Sequence, residues 1–456
     1  MRSPNSARVP HPMRAAIADL PAVHRGPRVF DERSALYAVG TLLTFIVPLP
    51  LYWLFAPARD FTEAGLYIAI AEAIIVLLVA VHAAKDNFEL AAFCIGLIAK
   101  LGACGIYLKL LYTVYLENDA FGYFNHGLAF SSGGTAQFVY PFVSTNAINN
   151  LATLLVLVTP SITFTFVTFA LVGYFGQMLL YRAFCVALPQ GNRRLAALMC
   201  FLFPSLVYWT SPLGKDALVL FGLGWATYGA AKLFSGRVSV VPLVGGLLII
   251  QLVRPHIAAL FGGSLALSYL LLWRSRNVTA IVVKFVAVPL LIASVLWLTS
   301  VTQTTFRLNS IEGATTRAER IRGFTGAQGG SDFGYYDSLG FRVATAPFLL
   351  FRPFPWEVRN LLSGIASAEG LFTLMMLWTR RRAAFQFIRF WPNYPFIAFI
   401  MTYSLLTIAS LSTVINNMGT LARQRVMVFP LFVVLACVGF EQARTTPTRR
   451  TRIGNR

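Results

Sequence analysis

Charged residues are scarce in this sequence. Only 12% of its 456 residues are charged, and acidic residues are the scarcest, with 18 Asp and Glu against 38 Lys and Arg. A soluble chain of this length needs a far more polar surface. The low charge, the 57% hydrophobic content and the mean hydropathy of +0.65 exclude a soluble protein.

Cysteine is also scarce, and its placement excludes further classes. None of the five cysteines forms a CxxC pair, and all lie in or beside apolar runs, so a disulfide framework or a metal cage is not expected. No cleavable signal peptide is expected either, because the polar residues 1–33 precede the first apolar run. We find no nucleic-acid-binding module, although the net charge is +20.

Long apolar runs dominate what remains. They recur with lengths of about 17–25 residues, as bilayer-spanning helices require. The sequence therefore predicts an all-α polytopic membrane protein with about 12 transmembrane helices. The predicted spans are roughly 34–55, 64–84, 88–113, 160–181, 195–211, 217–234, 238–253, 257–273, 278–299, 360–379, 394–414 and 426–443.

The basic residues between these spans predict the topology. A basic arm, 1–33, and a basic tail, 444–456, flank the transmembrane domain 34–443. Every second connection is short and basic, so the positive-inside rule places both termini in the cytoplasm. Two long connections, about 114–159 and 300–359, then lie outside and are expected to carry interfacial helices.

A second population of basic residues lies at predicted outer helix ends and in the second outer loop. Positive charge normally avoids that face. Here it gathers near a few carboxylates, which indicates a site for an anionic, phosphorylated substrate. Its members are Lys215, Arg254, Arg320, Arg322, Arg423 and Arg425.

The chemistry that suits such a site is glycosyl transfer from a lipid-linked sugar phosphate. Cations hold the phosphate and stabilise its charge as it leaves. An inverting transfer also needs a carboxylate that takes the proton of the acceptor hydroxyl. The lipid of the donor stays in the bilayer, so the reaction belongs at the outer helix ends.

Five segments carry a resemblance to a known family. They are Asp119-Ala-Phe-Gly-Tyr-Phe, Pro204-Ser-Leu-Val-Tyr-Trp-Thr-Ser-Pro-Leu-Gly-Lys-Asp, Arg254-Pro-His, Phe351-Arg-Pro-Phe-Pro-Trp-Glu and Asn417-Met-Gly-Thr-Leu-Ala-Arg-Gln-Arg-Val. With them the chain resembles bacterial GT-C-type membrane glycosyltransferases and the related O-antigen and exopolysaccharide repeat-unit polymerases. The resemblance implies that Asp119 is the catalytic base and that the basic residues bind the donor phosphate.

The same resemblance implies partners and a location. The partners are a polyprenyl phosphate- or diphosphate-linked sugar donor, a glycan or glycolipid acceptor, membrane lipids and, as candidates, polysaccharide assembly and export proteins. The location is the bacterial inner membrane with the active site facing outside. No cofactor or metal is expected, because no Asp-x-Asp pair lies near Asp119.

Simpler interpretations stay open for these residues. Lys215 and Asp216 could pair only with each other, and Arg254 could extend to lipid headgroups. Within the spans, Glu72 and Lys100 are expected to form a structural ion pair. Supporting roles at the site are predicted for Asp216, His256, His126, Glu369 and Asn417.

Other function classes also stay open. About twelve spans with cytoplasmic termini are typical of a lipid-linked oligosaccharide flippase or another 12-helix transporter. Such carriers show similar halves and charge at the midplane, and neither feature stands out here. A membrane protein with a purely structural role would not need the outer-face residues.

Overall fold

The computed structural model describes residues 61–114, 118–134, 136–189, 191–237, 239–272, 296, 300, 345–379, 381, 395–415 and 417–430, and every regular element within them is helical. The α-helices are α1 (Phe61–Ala83), α2 (Asn87–Thr113), α3 (Asp119–Ser131), α4 (Thr145–Val158), α5 (Ile162–Ala187), α6 (Arg193–Leu202), α7 (Pro204–Trp209), α8 (Lys215–Phe234), α9 (Val240–Val253), α10 (Pro255–Leu272), α11 (Leu361–Thr379), α12 (Pro395–Val414) and α13 (Met418–Gln424). Short 3-10 helices cover Ala346–Leu350, Pro355–Glu357 and Arg425–Val428.

Six of the described helices are long and apolar enough to cross a membrane. They are Ala64–Ala83, Asn87–Thr113, Ile162–Ala187, Lys215–Phe234, Leu361–Thr379 and Pro395–Thr413. Each matches a predicted span, so the chain is an α-helical membrane protein. The predicted spans 34–55, 278–299 and 426–443 lie wholly or mostly outside the described residues.

One predicted span, 195–211, is wrong as a single helix. The chain breaks at Phe203, and α6 and α7 are too short to cross a bilayer separately. Pro204 explains the break, because proline has no backbone N–H for a continuing helix but suits the first position of a new one. The backbone N–H and the hydroxyl of Ser205 then donate to the carboxylate of Glu369 on α11.

The helices α5 and α8 form the centre of the bundle. Most of each is buried inside the protein, whereas less than half of α1, α2 and α11 is buried. Small residues allow the two central backbones to meet, since a Cβ on Gly224 of α8 would clash with the carbonyl of Gly176 on α5. The exposed apolar faces of the outer helices suit contact with lipid.

The segment 114–159, predicted as the first outer loop, contains more helix than the sequence predicts. A helix expected from residue 146 onward is present as α4, and its interfacial position stays a prediction. A second helix, α3, begins at Asp119, where the sequence analysis expected loop, and packs against α4. The side chain of Asn118 starts α3 by accepting a hydrogen bond from the N–H of Phe121 over 3.1 Å.

The predicted Glu72–Lys100 ion pair does not form. Glu72 of α1 accepts a hydrogen bond from the hydroxyl of Thr168 on α5 at 2.9 Å. Lys100 of α2 instead donates to the carbonyl of Val207 at 3.3 Å and to the hydroxyl of Thr210. The two charged side chains lie in different helix interfaces, which the sequence could not reveal because adjacent spans can pack through several faces.

Charged clusters mark the two ends of the bundle. Glu89 lies in the first turn of α2, and Asp216 in the first turn of α8. The 27 residues of α2 extend about 40 Å at 1.5 Å per residue, and α3 follows its far end. We call the two ends the Glu89 end and the Asp216 end.

Candidate active site at the Asp216 end

Asp216 is the centre of the candidate site. Its side chain is 4% exposed and lies between two arginines. Arg254 Nη2 lies 2.7 Å from Asp216 Oδ1, and Arg423 Nε donates to Asp216 Oδ2. Because each carboxylate oxygen already accepts a charged hydrogen bond, Asp216 holds the arginines in place and is not available as a base.

Local sequence explains how these residues reach one place. Gly214, in an extended conformation, leads into α8. Asp216 then lies in the first turn of α8, where the positive end of the helix dipole stabilises a carboxylate. Arg254 is the last residue before Pro255, which ends α9 and starts α10. Arg423 lies on α13, whose start is capped by Asn417. The sequence predicted α8 and the α9–α10 junction and assigned these residues to one site, but it predicted neither α13 nor the individual ion pairs.

Asp119 is the exposed member of the group. Its side chain is 66% exposed, and Asp119 Oδ2 lies 3.5 Å from Nη1 of Arg423. Arg423, 28% exposed, therefore links the buried Asp216 with the accessible Asp119. The result is a continuous chain of charges, Arg254–Asp216–Arg423–Asp119, built from α3, α8, α13 and the α9–α10 junction.

The electrostatics of the two arginines differ. The neighbouring Asp216 carboxylate raises the pKa of Arg423 above its usual value. Burial lowers the pKa of Arg254, and Asp216 opposes that effect. The Nε of Arg254 is buried without a hydrogen-bond partner among the described residues. The described residues therefore leave part of its donor capacity unused.

Lys215 points to the start of α4. Its Nζ donates to the hydroxyl of Thr145 at 2.7 Å and lies 3.4 Å from that of Ser144. It does not pair with Asp216, which was one of the open interpretations. Ser144 has a positive φ of 60°, an uncommon conformation for a residue other than glycine. Lys215 thus joins α4 to the site.

Tyr123 is a site residue that the sequence analysis missed. It lies one turn after Asp119 on α3, and its side chain is buried. Burial raises the pKa of its phenol above the usual value, with a further contribution from the Asp119 carboxylate. The i, i+4 spacing of Asp119 and Tyr123 would have revealed the pair if a helix had been predicted there.

The two histidines have different surroundings. His256, the second residue of α10, is partly buried, and burial together with Arg254 and Lys215 lowers its pKa to about 3. It is therefore neutral at physiological pH. His126 lies on α3, where its Nδ1 is 3.3 Å from the hydroxyl of Thr153 on α4. That contact joins the two helices and does not involve the charged residues.

Arg425 and Glu369 form a separate buried pair. Arg425 Nη2 lies 3.7 Å from Glu369 Oε2, and Nη1 of Arg425 donates to the carbonyl of Leu350 at 3.1 Å. Glu369 also holds the start of α7 through Ser205. These contacts differ from those of Arg423, although only one residue separates the two arginines. Arg425 and Glu369 thus brace α7 and α11.

Two predicted phosphate-binding residues, Arg320 and Arg322, lie outside the described residues. In the part of the chain that is described, no group of three or more His, Cys, Asp or Glu side chains gathers as a metal site would require. The expectation of a metal-free site stays a prediction.

No protein-family model, curated protein or solved structure matches this chain. The functional argument therefore rests on the site itself. Chemically, the site offers one accessible carboxylate, a buried carboxylate that orients two guanidinium groups, and an ammonium group at its edge. Such a set can accept a proton and stabilise an anion.

Proposed function

We propose that this protein is a membrane glycosyltransferase or polysaccharide polymerase. It transfers a glycan from a polyprenyl phosphate- or diphosphate-linked donor to a glycan or glycolipid acceptor at the outer face of the bacterial inner membrane. One observation carries the proposal: the accessible carboxylate of Asp119 lies 3.5 Å from Arg423, which the buried Asp216 orients at one end of a membrane helix bundle.

In this mechanism Asp119 is the general base. Its exposed carboxylate takes the proton of the acceptor hydroxyl while the acceptor oxygen attacks the anomeric carbon. The bond between that carbon and the phosphate oxygen breaks at the same time. The leaving group is the polyprenyl phosphate or diphosphate, and the anomeric configuration inverts.

The arginines stabilise the leaving group. Arg423 and Arg254 are rigid, permanently charged donors, and Asp216 orients both before the substrate arrives. Preorganised donors favour developing negative charge because they need little rearrangement during the reaction.

The position of the site also supports a lipid-linked donor. The Asp216 end follows directly from α2 and precedes α8, both of which are long and apolar enough to cross the bilayer. A polyprenyl chain would lie beside such helices while its phosphate reaches their ends. A water-soluble nucleotide sugar would not need this placement.

Reconstitution in lipid nanodiscs tests the proposal. The purified protein would receive a polyprenyl-diphosphate-linked glycan or a polyprenyl-phosphate sugar, with and without chelator. A ladder of longer lipid-linked glycans identifies a polymerase, and a single added sugar identifies a transferase.

A vesicle assay provides the opposing outcome. If donor and acceptor stay chemically unchanged while the glycolipid crosses the bilayer, the protein is a flippase and the enzyme proposal fails. An Asp119→Asn variant that forms the normal amount of product would remove Asp119 as the base.

A further inference from the structure

Lys100 places its side-chain amino group inside the helix bundle. It lies in α2, 0% exposed, and donates to the carbonyl of Val207 at 3.3 Å and to the hydroxyl of Thr210. Charged side chains at membrane depth are destabilising unless they meet polar partners, and they mark functional positions. The role of Lys100 therefore depends on the position of Val207 and Thr210 in the fold.

Val207 lies in the last turn of α7, and Thr210 is the residue that follows the helix. The last carbonyls of a helix have no partner within the helix, and a cation at that end is favourable because the helix dipole is negative there. The hydroxyl of Ser211 also lies 3.3 Å from the backbone oxygen of Lys100. Helix α2 therefore holds the first residues after α7 through both a side chain and its backbone.

The segment after α7 leads directly to the site. Residues 211–214 are buried, and a Cβ on Gly214 would lie 3.7 Å from Nη2 of Arg423. Lys215 and Asp216 follow at once. A displacement of this turn would move Asp216 relative to its two arginines.

The same helix supports the other carboxylate. Nδ2 of Asn118, which caps α3, lies 3.4 Å from the hydroxyl of Tyr107 on α2. The ring of Tyr107 also packs against that of Tyr208 on α7, with centroids 5.3 Å apart. Asp119 follows Asn118 directly, so α2 contacts both the residue that precedes Asp119 and the segment that leads to Asp216.

We propose that Lys100 is a positioning residue for glycosyl transfer. It holds the turn between α7 and α8 against α2 and so sets the position of the Asp216–arginine group relative to Asp119. This inference rests on the proposed function, and it assigns to Lys100 no contact with the substrate.

A kinetic comparison of two lysines on α2 tests the proposal. Lys100→Met keeps a side chain of similar length but removes the donors, and the hydroxyl of Thr210 keeps its bond to Leu206 O at 2.5 Å. Lys109→Met is the matched control, because Lys109 is on the same helix but exposed. Misplacement of catalytic groups by about 1 Å lowers rates by up to about 100-fold.

We expect Lys100→Met to lower kcat about 10- to 100-fold with KM nearly unchanged, and Lys109→Met to match the parent. Loss of folded protein alone would leave the kcat per folded molecule unchanged, so the kinetic split separates positioning from general instability. A parental kcat in Lys100→Met would overturn the inference.

Cysteine labelling gives a second measurement that needs no activity. Gly214 is buried and extended, and a Cβ there meets only ordinary contacts, so Gly214→Cys should fold and react slowly with a membrane-impermeant maleimide. In the Lys100→Met background we expect labelling about tenfold faster, because the turn opens more easily. The protein without Gly214→Cys supplies the background from native cysteines, and equal rates in both backgrounds would overturn the inference.

The two proposals fail in different ways. Absence of transfer in the parent and in every variant would overturn the proposed function and, with it, the catalytic part of this inference. Transfer that is active in the parent and intact in Lys100→Met would overturn the inference alone.

Discussion

At each end of the helix bundle a buried carboxylate lies between two arginines, but the surroundings of the two groups differ. At the Glu89 end, Glu89 is 1% exposed and lies 2.8 Å from Arg182 and 2.7 Å from Arg193. It also accepts a hydrogen bond from the N–H of Lys85 at 2.8 Å. Arg182 is buried too and donates to the carbonyl of Ala83 at 2.5 Å.

At the Asp216 end the corresponding group of a carboxylate and two arginines is accessible to solvent through Arg423 and Asp119. Asp216 is buried, but Arg423 is partly exposed and reaches the accessible Asp119. Arg254 keeps an unpartnered buried Nε among the described residues. At the Glu89 end Arg193 and Asp86 are partly exposed too, but both carboxylates there accept short hydrogen bonds from the protein. The Asp216 group retains a donor and an accessible carboxylate that can meet a ligand.

The comparison shows that a buried ion pair alone does not identify a site. A carboxylate between two arginines can fasten helices together, as Glu89 does for α2, α5 and α6. The functional signal is the incompletely used guanidinium group together with an accessible carboxylate, Asp119, whose contact in the described part of the chain is the 3.5 Å approach of Arg423. Asp86 at the Glu89 end is also exposed, but its Oδ1 accepts from the N–H of Glu89 and its Oδ2 from Arg193. The following variants test that distinction, from the largest expected effect to the smallest.

Replacing the accessible carboxylate should have the largest effect. Asp119→Asn is expected to lower glycosyl transfer about 10³-fold, because a general base contributes about 10²–10⁴-fold, with thermal stability unchanged since Asp119 is mostly exposed. The matched control is Asp86→Asn at the Glu89 end, where Asp86 caps α2 and pairs with Arg193. Asparagine also caps helices, so this variant should transfer sugar at the parental rate. Equal losses in both variants would contradict the distinction between the two ends.

Removing the carboxylate of the Glu89 group should lower the stability of the protein and leave its activity unchanged. Glu89→Ala leaves the buried Arg182 without its carboxylate, and loss of one partner of a buried ion pair costs about 3–5 kcal/mol. We expect a clear fall in the thermal unfolding temperature in detergent, with the transfer rate per folded molecule unchanged. A selective loss of rate without a change in stability would assign a functional role to the Glu89 end.

Replacing arginine by lysine should lower activity at the Asp216 end and have little effect at the Glu89 end. Arg423→Lys and Arg254→Lys retain the charge but lose the planar fork that binds Asp216 and a phosphate together. We expect kcat/KM to fall about 10- to 100-fold in each variant, somewhat less than the roughly 100- to 1000-fold loss seen when one transition-state donor is removed entirely, because lysine keeps the charge. Arg193→Lys, at the half-exposed edge of the Glu89 group, is the control and should remain active. Full activity of Arg423→Lys would argue against a bidentate phosphate contact.

Acid should destabilise the Asp216 end through His256. Folding lowers the pKa of His256 to about 3, whereas the unfolded value is about 6.5. The unfolded state therefore binds the proton more readily, and stability falls as the pH drops below about 6.5 and on toward 3. At pH 5.5 the loss is about 1.4 kcal/mol relative to neutral pH. Thermal unfolding at several pH values should show that His256→Gln loses this part of the acid sensitivity, and an unchanged pH profile would contradict the assignment.

Much of the helical fold could be predicted from the sequence. Hydrophobic length is a local property, so the spans 64–84, 88–113, 217–234, 360–379 and 394–414 agree with the structure to within a few residues. The break at Pro204 was missed because the apolar run continues across it. The helix at Asp119 was missed because its polar and aromatic residues are also typical of an interfacial loop.

The candidate site could be predicted only as a set of residues. Asp119, Lys215, Asp216, Arg254 and Arg423 were selected by their placement at predicted helix ends, and the structure brings them together at one end of the bundle. Arg425 was selected on the same grounds but pairs with Glu369. Two arginines with one residue between them point in different directions, and only packing decides which one meets Asp216.

The sequence by itself determined the membrane class, because apolar runs, scarce charge and basic connections depend on composition along the chain. The tertiary structure alone decided the partners of the buried charges. Lys100 contacts the end of α7 and does not pair with Glu72. Asp216 pairs with Arg423, which lies more than two hundred positions later in the sequence. Such pairings depend on which helix faces meet, and the charge of an isolated side chain carries no information about the face opposite to it.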